Sequence, residues 1–278
     1  MGARGQLGRS LLDALPGEVE SAPGRDALDL CQPAALADAV RRSGAGVVFN
    51  AAAYNAVDAA ESDPDAAFAV NASGALHLAR ACRDTGALLV HVSTDYVFDG
   101  TDTRPIPEDR CPRPLGVYGA SKLAGEALVA ASGATFLLVR TSGVFARGGS
   151  RDKGGSFVER ILARASAGQP LRVVEDQVFA PTYAPDLAAA LVALVRADAR
   201  GLFHVTNEGS CSWHALAVAA LETAGRAVPV AAISARELGA PARRPAYSVL
   251  DCGKYLRLGL PPLRPWRAAL GALLAPSR

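Results

Sequence analysis

The stretch Ala87–Ser93 reads ALLVHVS, and Thr94-Asp95-Tyr96 follow it at once. A short apolar run without polar alternation is the pattern of a strand covered on both faces, as in parallel sheets sandwiched between helices. Its surroundings repeat the theme. Working back along the chain, Asp63-Pro64 supplies an N-cap and a first-turn proline for a long helix reaching about Asp84. Gly46–Asn50 is a strand, Pro33 opens a helix, Glu18–Ala22 reads as a strand and Gln6–Leu15 as a helix. Working forward, Val117–Ser132 reads as a helix and Ala134–Arg140 as a strand. Helices alternating with buried strands predict an α/β fold with a doubly wound parallel sheet, Rossmann-like in layout.

Beyond Thr141 the alternation loosens. A Gly/Arg/Ser-rich loop at Ala146–Gly155 precedes a helix from about Ser156, a strand at Leu171–Val174 and a helix after Pro185. Leu202–Val205 reads as a strand returning to the main sheet, and the chain closes in short helices broken by Pro241, Pro245, Pro261, Pro262 and Pro265. The expected division is a dinucleotide-binding unit over residues 1–145, joined by 182–206. Residues 146–181 and 207–278 form a smaller, discontinuous α/β substrate lobe.

Composition narrows the function. With 50% hydrophobic and 20% charged residues and a formal net charge of +2, the 278-residue chain reads neither as disordered nor as a polyanion binder, so no nucleic-acid partner is expected. No apolar run reaches membrane-spanning length and the N-terminus lacks a signal-peptide core, so the protein reads as cytoplasmic with no membrane partner. The five cysteines are odd in number and contain no CxxC pair, which argues against disulfides and against a metal site. Arg is the default cation; the lysines are Lys122, Lys153 and Lys254.

One of those lysines sits in Tyr118-Gly119-Ala120-Ser121-Lys122, where the i,i+4 spacing places Tyr118 and Lys122 on one helix face. A phenol can protonate a developing alkoxide, and an ammonium nearby is expected to stabilise the phenolate and lower its pKa. Ser93 and Thr94 stand at the C-terminal end of a buried strand, where open α/β sheets bind ligands and a hydroxyl can polarise a carbonyl. Together they form a Ser/Thr, Tyr, Lys constellation for hydride transfer. Ala51-Ala52-Ala53, at the end of another strand, leave room for a flat cofactor. Gly2, Gly5 and Gly8 form GxxGxxG before a helix, which lets backbone approach a pyrophosphate. Such a loop is expected to follow a buried strand, yet only Met1 stands ahead of it. This reading expects a start site downstream of the true one, or a truncated chain with poor cofactor affinity.

These residues resemble the extended short-chain dehydrogenase/reductases and, among them, the dTDP-4-dehydrorhamnose reductase family. The resemblance rests on GARGQLG, FNAAAYNAVDAAE, VNASGALHLARAC, VHVSTDYVFDG, YGASKLAGE, LLVRTSGVF and PTYAPDLA, from residue 2 to about 190, and continues more weakly through Gly201–Val205, Trp213 and Arg244-Pro245. It implies NAD(P)H-dependent reduction of the 4-keto group of a dTDP-4-keto-6-deoxysugar, dTDP-4-dehydrorhamnose above all. Tyr118 would be the proton donor, Lys122 would bind the nicotinamide ribose, and Thr94 would hydrogen-bond the keto oxygen. Gly2, Gly5 and Gly8, with Gln6 and Leu7, would meet the pyrophosphate. Asp29 and Leu30 would lie by the adenine, and Ala51–Ala53 and Ser93 would line the cofactor cleft. Asp95, Tyr96 and Ser142 would face the sugar and Arg244 the substrate diphosphate. Pro23-Gly24-Arg25 offers a cation for a 2′-phosphate and no carboxylate, favouring NADPH over NADH. Leu11 and Leu12 offer no carboxylate for a metal-bridged dimer, so a monomer or weak homodimer is expected.

Four positions depart from the family pattern. Gly143 stands where a Trp is expected, Phe179 where a Gly is, and Ser156 and Tyr247 where Asn residues are. Ser156, Phe179 and Tyr247 fall in the expected substrate lobe and Gly143 just ahead of it, so the sugar pocket is expected to be reshaped. Other readings compete: a 4-ketoreductase for a different nucleotide deoxysugar, a non-catalytic regulatory subunit, like that of methionine adenosyltransferase, and a nucleotide-sugar epimerase or dehydratase. A dehydratase would want Asp-Glu after Thr94, where Asp95-Tyr96 stands.

Overall fold

The computed structural model describes residues 1–149 and 155–275. Four parallel strands, in the order Val47–Asn50, Leu88–Thr94, Phe136–Thr141 and Gly201–His204, make the main sheet. Both faces are buried, and the strand period of two divides their side chains. Leu88, Val90, Leu137 and Val139 pack against Leu7 and Leu11 of the helix Gln6–Ala14 and Leu187 and Leu191 of Ala184–Arg196. Leu89 points the other way, to Leu36 and Val40 of Pro33–Ser43, Leu78 and Cys82 of Gly74–Thr85, and Val129 of Val117–Ala130. Burying each such Leu or Val contributes about 1.5–3 kcal/mol, which is why the central strand carries a continuous apolar run.

The long helix after Asp63 forms as the N-cap predicts: the Asp63 carboxylate accepts from the Ala66 N–H at 3.2 Å, with Pro64 in the first turn. It is not regular throughout. Pro64–Phe68 passes through a π-turn at Ala69–Ser73 into Gly74–Thr85, and that turn aims Asn71 into the sheet's C-terminal end.

The strand expected at Glu18–Ala22 is absent; these residues are irregular and mostly exposed. A strand persists through its ladder neighbour, and here the outer edge of Val47–Asn50 borders a cavity of about 410 Å³ lined by Leu11, Leu15, Val19, Val47, Val48 and Phe49. Met1 reaches that edge: its ammonium donates to the Phe49 carbonyl at 2.6 Å and its carbonyl accepts from Ala51 N–H at 3.2 Å.

The rest of the chain builds a second core at the sheet's C-terminal end. Phe145, Val158, Phe179, Leu216, Trp266 and Leu270 pack there, under the helices Phe157–Ser166, Trp213–Thr223 and Trp266–Leu274. Leu171–Val174 pairs with Val230–Ile233, a strand the sequence reading did not anticipate. The middle of the loop expected at Ala146–Gly155, with Lys153, lies outside the described residues. No helix among the described residues is long and apolar enough to cross a membrane.

A buried ion pair ties sheet to helix. Arg140 on Phe136–Thr141 donates Nη2 to Glu126 Oε2 at 2.6 Å and Nε to Oε1 at 3.0 Å, with side chains only 4% and 7% exposed. Removing one partner leaves the other charge buried and alone, so Arg140→Met is expected to cost about 3–5 kcal/mol of stability. Denaturant melts should show most of that loss restored when Glu126→Leu is added.

Candidate active site

A cleft of about 350 Å³ opens at the C-terminal ends of the sheet strands. Gly5, Gln6, Leu7, Ala51, Ala52, Ala53 and Ser93 line one part of it; Thr94, Asp95, Tyr96, Tyr118 and Lys122 line the next. The catalytic candidates are thus brought together from two elements. Thr94 ends the strand Leu88–Thr94, and Tyr118 and Lys122 project from the first turns of Val117–Ala130. Asn71 braces the arrangement: its side chain bonds both the N–H and C=O of Tyr54, at 2.9 and 3.0 Å, and donates to Ser121 Oγ at 3.0 Å. One amide therefore fixes the loop after Ala53 relative to the helix bearing Tyr118. The sequence held Asn71 in plain view, but nothing in its local pattern signalled the π-turn that aims it.

The electrostatics differ from expectation. Burial pushes the Tyr118 phenol up to about 12, against a smaller lowering by a hydrogen bond with Thr94. A phenol depressed by the ammonium is therefore not what the structure holds. Lys122, only 2% exposed, gives its ammonium to the Val92 carbonyl at 2.7 Å, and burial lowers its pKa to about 8 while Glu126 holds it up. Desolvation outweighs any stabilisation of the phenolate across the helix turn.

Several residues assigned to ligands are placed elsewhere. Leu30 is 5% exposed and packs with Leu36 and Val40, and Asp29 accepts from Cys31 N–H in a surface turn; neither lines the cleft. Ser142 is buried behind Asp95, to which it donates, and does not line the cleft. Arg244 bonds Asp58 at 2.8 Å and neighbours the Tyr96 phenol, outside the cleft walls. Short turns put these residues near the expected place, and their side chains satisfy internal partners first.

The four departures separate in the same way. Gly143 and Phe179 both line the cleft. Gly143 adopts φ +50, and a Cβ there would stand 2.2 Å from the Phe179 ring, which stacks on Trp213 at 3.9 Å. The ring fills the space in which a side chain at 143 would begin. Ser156 instead caps the helix Phe157–Ser166 in a capping box with Glu159, and Tyr247 lines a different cavity. Gln177, Trp213 and Ser248 line the cleft although the site reading left them out; they come from irregular segments far along the chain.

A dinucleotide fits the first part of the cleft. A Cβ on Gly2, at φ +76, would meet Ala51 C and Ala52 N at 2.8 Å, so only glycine lets the loop lie this close to the strand end. The helix Gln6–Ala14 begins at Gly5 with no side-chain cap, leaving its first N–H groups for an anion. Gln6 Oε1, Ser93 Oγ and Thr141 Oγ1 are buried polar atoms without partners among the described residues, all on residues lining the cleft.

The RmlD substrate binding domain family matches residues 1–278. A dTDP-4-dehydrorhamnose reductase of Mycobacterium tuberculosis is 44% identical over 289 residues, covering 99% of this chain and 91% of the relative. One from Streptomyces griseus is 42% identical over 281 residues, covering 97% and 90%. The crystal structure of the Bacillus anthracis dTDP-4-dehydrorhamnose reductase in complex with NADP superposes with a TM-score of 0.93 at 34% identity, over 98% of this chain and 96% of that one.

Proposed function

The chain belongs to the dTDP-4-dehydrorhamnose reductase family, and from that membership we propose how its cleft works. It is an NADPH-dependent oxidoreductase that reduces the 4-keto group of dTDP-4-dehydrorhamnose to give dTDP-rhamnose. When bound, NADPH supplies the hydride. The first part of the cleft, from Gly5 to Ala53, would hold it, with Lys122 at the ribose. The walls at Tyr96, Gln177, Phe179 and Trp213 would take the sugar nucleotide, so that the sheet unit and the C-terminal lobe each bind one reactant.

Tyr118 is the proton donor in this reading. With a pKa near 12 it is fully protonated at neutral pH, and an alkoxide is so much stronger a base than a phenolate that transfer to the reduced ketone oxygen runs downhill. Thr94, in contact with the phenol, steadies the same oxygen. The observation that carries the reading is the convergence of Thr94, Tyr118 and Lys122 on one cleft wall. No observation favours the non-catalytic or epimerase readings. With Leu11 and Leu12 in place of metal-binding carboxylates, we read the protein as a monomer or weak homodimer.

Incubation with NADPH and dTDP-4-dehydrorhamnose should consume one cofactor per sugar alcohol formed. Redox-neutral conversion, or no conversion with purified protein, would contradict the assignment.

A further inference from the structure

Asp95 lines the cleft beside Thr94. It is a carboxylate 3% exposed, and no cation pairs with it among the described residues. Three hydroxyls from three parts of the chain surround it instead. Thr94 Oγ donates to Oδ1 at 3.1 Å, and Ser142 and Ser248 both donate to Oδ2, at 2.8 and 2.5 Å. A threonine hydroxyl has a single proton. While Asp95 is ionised that proton is committed to Oδ1, and one Thr94 lone pair is already taken by the Tyr96 N–H at 3.2 Å. The Tyr118 phenol hydrogen-bonds Thr94 as well, so with its proton on Asp95 Thr94 has no donor to offer a ketone.

We propose that Asp95 is a positioning residue that sets the direction of the Thr94 hydroxyl. Ionised, it withholds the Thr94 proton from the substrate; protonated on Oδ1, it donates to Thr94 and frees that proton for the keto oxygen. This rests on the reductase reading above. The proton balance is simple: Asp95 takes up one proton from solvent, no bond to carbon changes, and the hydroxyl only rotates.

A second effect acts in the same direction. The titratable groups facing Asp95 are two phenols, Tyr96 beside it and Tyr118 from the helix, and the carboxylate charge makes both harder to ionise. From just beyond the strand Phe136–Thr141 and from the C-terminal segment it meets the hydroxyls of Ser142 and Ser248. Of the cations nearby, Lys122 gives its ammonium to the Val92 carbonyl and Arg244 bonds Asp58 and the Tyr96 phenol; neither pairs with Asp95. A carboxylate here therefore opposes negative charge developing on the ketone oxygen and on Tyr118. Burial has already raised its pKa to about 6, against the three hydroxyls that lower it, so the change falls in an accessible range.

The arrangement makes Asp95→Asn informative. Ser142 and Ser248 both donate toward Oδ2, so the amide oxygen must sit there and the NH₂ must face Thr94, which imitates the protonated acid. The experiment is kcat and KM against pH, from below 6 to above 8, for wild type, Asp95→Asn and Thr94→Val with NADPH and dTDP-4-dehydrorhamnose. Wild-type kcat should rise about tenfold as pH falls through about 6, the fold-change for one hydrogen bond of about 1.4 kcal/mol, with little change in KM. Asp95→Asn should hold the wild type's acid plateau through neutral pH with that limb gone, and Thr94→Val should lose the acid-side gain. A limb near 6 that survives in Asp95→Asn, or a wild-type kcat flat across that range, would overturn the proposal and leave the reductase reading intact. No turnover by wild type at any pH would sink both.

Discussion

Tyr118→Phe is expected to lower kcat by about 10²–10⁴-fold, the range a positioned general acid supplies, while KM for both substrates and the melting temperature hardly move. The Phe ring keeps the edge-to-face contact with Tyr96 at 5.8 Å, so what disappears is the proton and its hydrogen bond with Thr94. The effect belongs in kcat because the phenol's largest contribution comes after charge has moved onto the ketone oxygen. Initial rates from the absorbance of reduced nicotinamide check it. A loss confined to KM would mean that Tyr118 only binds.

Lys122→Met is expected to cut kcat/KM by about tenfold to a hundredfold, the value of one charged hydrogen bond of about 1.5–3 kcal/mol. Two signatures separate this from Tyr118→Phe. The KM for NADPH should rise, since the ammonium is read as the ribose ligand. The pH dependence should change too. A lysine whose pKa is lowered to about 8 is charged below that value and neutral above it, so wild-type kcat/KM should fall as pH rises past about 8. Lys122→Arg, which keeps its proton throughout, should lose that alkaline limb even if its rate is poorer.

Much of the site was legible because its signals are local. The i,i+4 pair Tyr118 and Lys122, the apolar run ending at Thr94 and the small residues Ala51–Ala53 each announce an element and a position along it. Side-chain direction was legible only where a periodicity fixed it. That Ser248, 153 residues away, holds the Asp95 carboxylate is not readable from its neighbours. Leu30 reads as a lining residue until Leu36 and Val40 are seen packing on it. Glu18–Ala22 offers one β-former, Val19, among polar and small residues, and a ladder partner is a property of the whole sheet. Burial explains the remaining error: the sequence places an ammonium one turn from Tyr118, but the desolvation that pushes the phenol upward appears only once the chain has closed around it.

The central claim is that this cleft delivers a hydride from the reduced cofactor directly to the C4 carbonyl carbon of the sugar, with Tyr118 giving the proton to its oxygen. Its most direct test is mass spectrometry of the dTDP-sugar formed with NADPH deuterated at the transferable position. The prediction is one deuterium per product molecule, at C4. A sugar product without that label at C4 would contradict it.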